Sequence, residues 1–120
     1  MEELKLGFVE SQFADIIWEH EPIASGELVK LCDKKLGWKK STTYTMLKRL
    51  CERGIFVNDN GVVLALMTKA EFEAAQCEKF VDDTFQGSLP AFLAAFASRK
   101  KLSKNEIDEI KKMIDSYGEE

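Results

Sequence analysis

A mainly helical chain with one small β-hairpin is the fold class this sequence predicts, and three observations predict it. Apolar residues recur at helical spacing over most of the length. One short region, IFVNDNGVVLAL at 55–66, breaks that rhythm with two β-rich runs around Asn58–Gly61. The polar and glycine punctuation between segments falls where helices start and stop.

The first helix is expected from about Phe8 to Glu19, with Val9, Phe13, Ile16, Ile17 and His20 at helical spacing and Pro22 as its stop. A second begins near Ser25, read as its N-cap, and ends before Gly37, with Leu28, Leu31, Cys32 and Leu36 on its apolar face. The third runs over Ser41–Arg53 and is closed by Gly54, a natural residue for the left-handed position after a helix. The hairpin follows, and its Asn-Gly pair is a strong turn signal because both residues tolerate positive φ. Helix, helix, helix, hairpin over residues 1–67 is the order of a winged helix-turn-helix.

Residues 68–120 read as a helical second region. Thr68 with Glu71, and Ser103 with Glu106, each form a capping box in which side chain and amide satisfy one another. The helix opened by Thr68 is expected to reach about Phe85 and end at Gly87. Ser88-Leu89-Pro90 starts a short apolar segment, PAFLAAFA, and the last helix carries Leu102, Ile107, Ile110, Ile114 and Tyr117 along one stripe. Phe85, Leu89, Phe92, Phe96, Ile107, Ile110, Ile114 and Tyr117 are too apolar for a solvated arm, and a short tail has little core of its own to bury them in. A second copy of the chain is the expected cover, which makes this a dimerisation region.

The bulk numbers exclude several classes. Of 120 residues, 45% are hydrophobic and 32% charged, ordinary for a soluble globular protein, and no apolar run approaches a membrane span. The N-terminal MEELKLGF has no basic segment leading into an apolar one, so no signal peptide and a cytoplasmic location are expected. Cys32, Cys51 and Cys77 are widely spaced and His20 is the only histidine, a poor ligand set for zinc; no metal or other cofactor is expected. The cysteines read instead as small buried hydrophobes, and His20 as a cap for the carbonyls that end the first helix. No G-x-S-x-G, phosphate-binding glycine loop or metal cluster is present, and Asp82-Asp83 and Asp108-Glu109 read as solvated faces, so an enzyme is not expected. Trp18 is expected to pack between the first helix and its neighbours, and Trp38 to staple the start of the third.

Charge singles out the third helix. Residues 34–53 hold Lys34, Lys35, Lys39, Lys40, Lys48, Arg49 and Arg53 against Glu52 alone, a local +6 in a chain of net −4. Overall acidity disfavours indiscriminate polyanion binding, whereas a concentrated patch suits a directed contact. At ~100° per residue, Thr43, Met46, Leu47, Leu50 and Cys51 gather on one face, and Ser41, Tyr44, Thr45, Lys48 and Glu52 on the other, flanked by Thr42 and Arg49. Short hydroxyls reach base edges or phosphates, and Lys or Arg donate to guanine or phosphate. The helix N-terminus also favours a phosphate, with Lys39 and Lys40 placed to clamp the backbone. A double-stranded DNA groove is the expected partner. The hairpin carries Asp59 and no cation, so its grip on phosphate is expected to be small or to run through Asn58 and Asn60. The acidic hairpin and the net charge also fit a second reading, a winged-helix module that binds protein.

The stretches ESQFADIIWEHEPIASGELV, TTYTMLKRLCERGIF, FQGSLPAFLAAF and LSKNEIDEIKKMI, in that order, resemble the penicillinase-repressor family of bacterial regulators, which includes the methicillin-resistance and copper-responsive repressors. The resemblance covers nearly the whole chain. It implies a homodimeric repressor whose winged helix binds a palindromic operator, with Ser41, Thr42, Tyr44, Thr45 and Lys48 facing DNA and Lys40 and Arg49 beside them. Antibiotic-responsive members are inactivated by a protease that cuts an Asn-Phe bond; here that place reads Ala95-Phe96. The cysteine-rich tail of copper-responsive members is absent from KKMIDSYGEE. The resemblance therefore assigns no inducer to this chain.

Overall fold

The structure is a computed structural model that describes residues 6–118, and it divides into two compact units, 1–78 and 79–120. The expectation drawn from MEELKLGF rests largely on residues outside the described ones. The division falls inside a helix rather than at a loop.

The first unit opens with α1 (Phe8–His20), a two-residue strand β1 (Ile23–Ala24), α2 (Ser25–Leu36) and α3 (Lys40–Glu52). The hairpin strands β2 (Phe56–Asp59) and β3 (Val62–Ala65) follow, then α4 (Lys69–Phe85), which crosses into the second unit. The three strands form one antiparallel sheet in the order β1-β3-β2, with Ile23 opposite Val63 and Phe56 opposite Ala65. Mostly helical with a small sheet, this is the winged-helix arrangement the sequence predicts. Only β1 was not expected: two residues are too few for any periodicity to show.

The hairpin turns as its residues require. Asn60 at φ 52° and Gly61 at φ 88° are both left-handed, the pair of conformations that lets a two-residue turn follow the strand twist. Asn58 Oδ1 accepts from the Gly61 amide at 3.0 Å and locks the turn. The end of α2 is closed by Gly37 at φ 68°, whose amide donates to the Asp33 carbonyl while the Trp38 amide donates back to Cys32.

The core is drawn from every element of this unit except β1, whose Ile23 packs against it half-buried. Phe13, Ala14, Ile16 and Ile17 come from α1, Leu28 and Cys32 from α2, Leu47 and Leu50 from α3, and Ile55, Phe56, Val63 and Phe72 from the hairpin and the start of α4. Thr43 is buried with them, its hydroxyl donating to the Lys39 carbonyl at 3.3 Å. Trp18 lies between Phe56 and Phe72, with ring centroids 5.3 and 5.7 Å away, and its Nε1 donates to the Met67 carbonyl. Trp38 stands one residue before the N-cap of α3, and its ring partner is Phe13 of α1 at 5.3 Å.

Four local expectations are corrected. Ser25 is the first residue of α2 rather than its cap: Ala24 holds the cap position, and the Ser25 amide donates to the Gly61 carbonyl of the hairpin turn. Val9 is exposed, whereas Leu6, just before the helix, packs half-buried against the core. The third helix is shifted one residue towards the N-terminus, with Lys39 as cap and Arg53 as its last, non-helical neighbour. Cys77 is exposed, whereas Cys32 is buried and Cys51 half-buried. Position 77 lies five residues beyond buried Phe72, about 140° round the helix and so away from the core. Burial raises the thiol pKa of Cys32 and of Cys51, which keeps both in the unreactive protonated form.

The second unit holds the end of α4, then α5 (Leu89–Arg99) and α6 (Lys104–Tyr117). Ser88 caps α5 by accepting from the Ala91 amide, and the Ser103–Glu106 capping box closes at 2.9 and 3.1 Å. No described residue of this unit is buried.

Candidate nucleic-acid interface

The surface of α3 follows from its buried face. Thr43, Leu47 and Leu50 point into the core, with Met46 and Cys51 half-buried beside them. That fixes the rotation of the helix and leaves Lys39, Lys40, Ser41, Thr42, Thr45, Lys48 and Arg49 exposed. The hydroxyls occupy the first turns, the cations both ends. Lys39, Lys40 and Lys48 make no ion pair among the described residues, so their charge is available to an external anion. Lys39 supplies no side-chain cap to the first turn, and the amides there favour a phosphate. Glu52 is exposed in the last turn, well along the axis from the hydroxyls.

Two of the site residues have partners that the sequence did not reveal. Tyr44 is half-buried, and its hydroxyl donates to Ser25 Oγ at 3.1 Å, bracing α3 against the start of α2. Arg49 Nη1 lies 3.3 Å from Glu10 Oε2 on α1, and Arg53 Nη1 reaches the same oxygen at 3.5 Å. Glu10 itself accepts from the Gly7 amide at 3.0 Å through its other oxygen. The Gly7 amide and the two guanidinium groups together hold the Glu10 carboxyl below its ordinary pKa, outweighing its partial desolvation. Glu10 is the member of this surface that sequence reasoning missed. It stands 39 residues from Arg49, and nothing local marks the pairing.

The hairpin tip brings no cation to this surface. Asn58, Asp59 and Asn60 are exposed, and the Asn58 side-chain oxygen is already engaged in the turn. Of the two asparagines, Asn60 therefore keeps its full hydrogen-bonding capacity for an outside partner. His20 lies apart from α3 in sequence and caps its own helix, its Nδ1 2.9 Å from the Ile16 carbonyl.

The apolar residues expected to pair two chains are gathered in the second unit. Phe80, Phe85 and Phe92 meet edge-on with centroids 5.8 to 6.3 Å apart, and Phe96 stacks on Phe92 at 6.3 Å. Leu89, Phe96, Ile107, Ile114 and Tyr117 are exposed, and Phe85, Phe92 and Ile110 half-buried. Tyr117, at 70%, is the most exposed of them. Ala95 and Phe96 both lie within α5 and both are exposed. Among the described residues no helix is long and apolar enough to cross a membrane, and no three His, Cys, Asp or Glu side chains are grouped to hold a metal.

Comparison with known proteins agrees with this architecture. The penicillinase repressor of Bacillus licheniformis is 23% identical over 112 residues, which span 90% of this chain and 88% of that protein. The profile of the penicillinase repressor family matches residues 6–116, across both units and every helix from α1 to the last turn of α6. This chain belongs to the penicillinase repressor family of transcriptional regulators.

Proposed function

We propose that the chain is a homodimeric transcriptional repressor that binds a palindromic operator in duplex DNA through α3. Residues 1–67 would form the DNA-binding part and residues 68–120 the dimerising part. The observation that carries the reading is the division of α3 into a buried face and an exposed face of hydroxyls and unpaired lysines. Ser41, Thr42 and Thr45 are short enough to approach base edges; Lys39, Lys40 and Lys48 supply the charge that phosphates attract. Two such helices in a dimer meet half-sites about one helical turn apart, or a multiple of it. Repression follows from occupancy, the dimer covering a promoter and excluding polymerase. With Ala95-Phe96 at the place of the Asn-Phe bond, the reading names no inducer for this chain.

The test is binding to duplex DNA from the chain's own upstream promoter region, titrated against salt, with Lys48→Ala alongside. Expected are a footprint with dyad symmetry and a steep fall of affinity with salt. In the variant, which lacks Lys48 in both half-sites, the logarithmic salt slope should drop by about two. Absence of binding at low salt as well as high overturns the reading and makes the same exposed face a protein-docking surface.

A further inference from the structure

Removing a carboxylate from a DNA-binding surface ordinarily strengthens binding, because its charge repels phosphate. Glu10 is placed to do the opposite. Its side chain is only 17% exposed, and its two oxygens are shared among the Gly7 amide, Arg49 and Arg53. The two arginines differ in what they leave outside. Arg53 is 18% exposed and sits inward with the carboxylate, whereas the Arg49 side chain is 56% exposed on the flank of α3. A guanidinium carries five N–H donors in a rigid plane. Glu10 engages Arg49 through Nη1 alone, which leaves the other donors of a half-exposed guanidinium free for a second anion. An arginine so tethered loses little further rotamer freedom when it meets a second anion.

We propose that Glu10 is a positioning residue for DNA binding: by holding one edge of the Arg49 guanidinium, it presents the other edge to a backbone phosphate flanking the groove that α3 enters. The proposal rests on the DNA-binding reading of α3. It adds α1, through Glu10, to the parts of the molecule that set affinity, and it gives Arg49 a phosphate as its ligand rather than a base.

The experiment measures affinity for the same promoter duplex across a salt series. The proteins are the full-length chain, Glu10→Ala, Glu10→Gln, Arg49→Ala and the Glu10→Ala/Arg49→Ala double variant, each checked for its thermal midpoint. Positioning predicts that Glu10→Ala weakens binding, on the order of fivefold, and lowers the salt slope by about two, one for each half-site. It predicts no further loss when Glu10→Ala is added to Arg49→Ala, since the two then act as a unit. Glu10→Gln, which keeps an acceptor for Arg49, should recover part of the loss; it also serves as the measurement should Glu10→Ala fail to fold. Tighter or unchanged binding by the Glu10 variants overturns the proposal, as does a penalty that persists in the Arg49→Ala background. A wild-type chain that ignores the duplex overturns the DNA-binding reading itself, and the positioning role with it. Wild-type binding combined with any of the other failures overturns the positioning role alone.

Discussion

The two units of this chain solve the problem of apolar surface in opposite ways. Every buried residue described, from Phe13 to Phe72, belongs to the first unit, where three helices and a three-stranded sheet converge on one core. The second unit has helices as well formed as those of the first, with two capped N-termini and an amphipathic α6, yet it buries no described residue. Of the twelve exposed large hydrophobic side chains described, eight lie between Phe80 and Tyr117. Secondary structure is thus no guide to where a core forms. Three layers can enclose side chains on all sides, and a short helical tail cannot. The first unit encloses its own core, and the second leaves an apolar surface that the proposed dimer would cover.

The largest expected effect separates the two directly. Phe56 is wholly buried and 5.3 Å from Trp18, so Phe56→Ala should cost about 3–5 kcal/mol. Urea unfolding followed by tryptophan fluorescence measures it, and the loss should be the same at every protein concentration. A loss below about 1 kcal/mol would mean that this core collapses around the gap far better than its packing suggests.

Phe92 tests the other unit. Its ring touches Phe80, Phe85 and Phe96, the centre of the aromatic group. Phe92→Ala should weaken self-association by about 2 kcal/mol, roughly thirtyfold, in sedimentation equilibrium. The tryptophan signal of the first unit should barely move once dissociation is accounted for. A wild-type chain that stays monomeric at every concentration would break the comparison, since the apolar face would then need a different cover.

The smallest effect sharpens it. Ser103→Ala removes one half of the α6 capping box and should cost about 1 kcal/mol of helix stability. The change should appear as helix loss in circular dichroism on dilution, when the partner no longer supports α6, and not in the tryptophan transition of the core. Equal shifts in both signals would show that the two units unfold as one.

What could be read in the sequence was what neighbouring residues decide among themselves. Helical spacing located α1 to α6 to within a residue or two at most ends, and the glycines at 37 and 54 stop helices because an L side chain resists positive φ. Thr68–Glu71 and Ser103–Glu106 close as written, and Asn60-Gly61 turns the hairpin. The buried face of α3 also followed from periodicity, as did the exposure of Ser41, Thr42, Thr45, Lys48 and Arg49, but Tyr44, placed on the same outer face, is half-buried against Ser25.

The tertiary structure decided what depends on residues brought together from far apart. β1 exists only because β3 lies beside it. Ser25 gives its amide to the hairpin and its hydroxyl to Tyr44, so it is not the cap its type suggests. Trp38 finds its ring partner 25 positions back in Phe13, and Glu10 gathers Arg49 and Arg53 from the far end of α3. None of these pairings has a local signature, because each contact joins side chains whose sequence neighbours would suit many other partners. The physical reason is general: a cap or a turn is settled by a few adjacent dihedrals, whereas a packed ring or a shared carboxylate is settled only when the whole core closes.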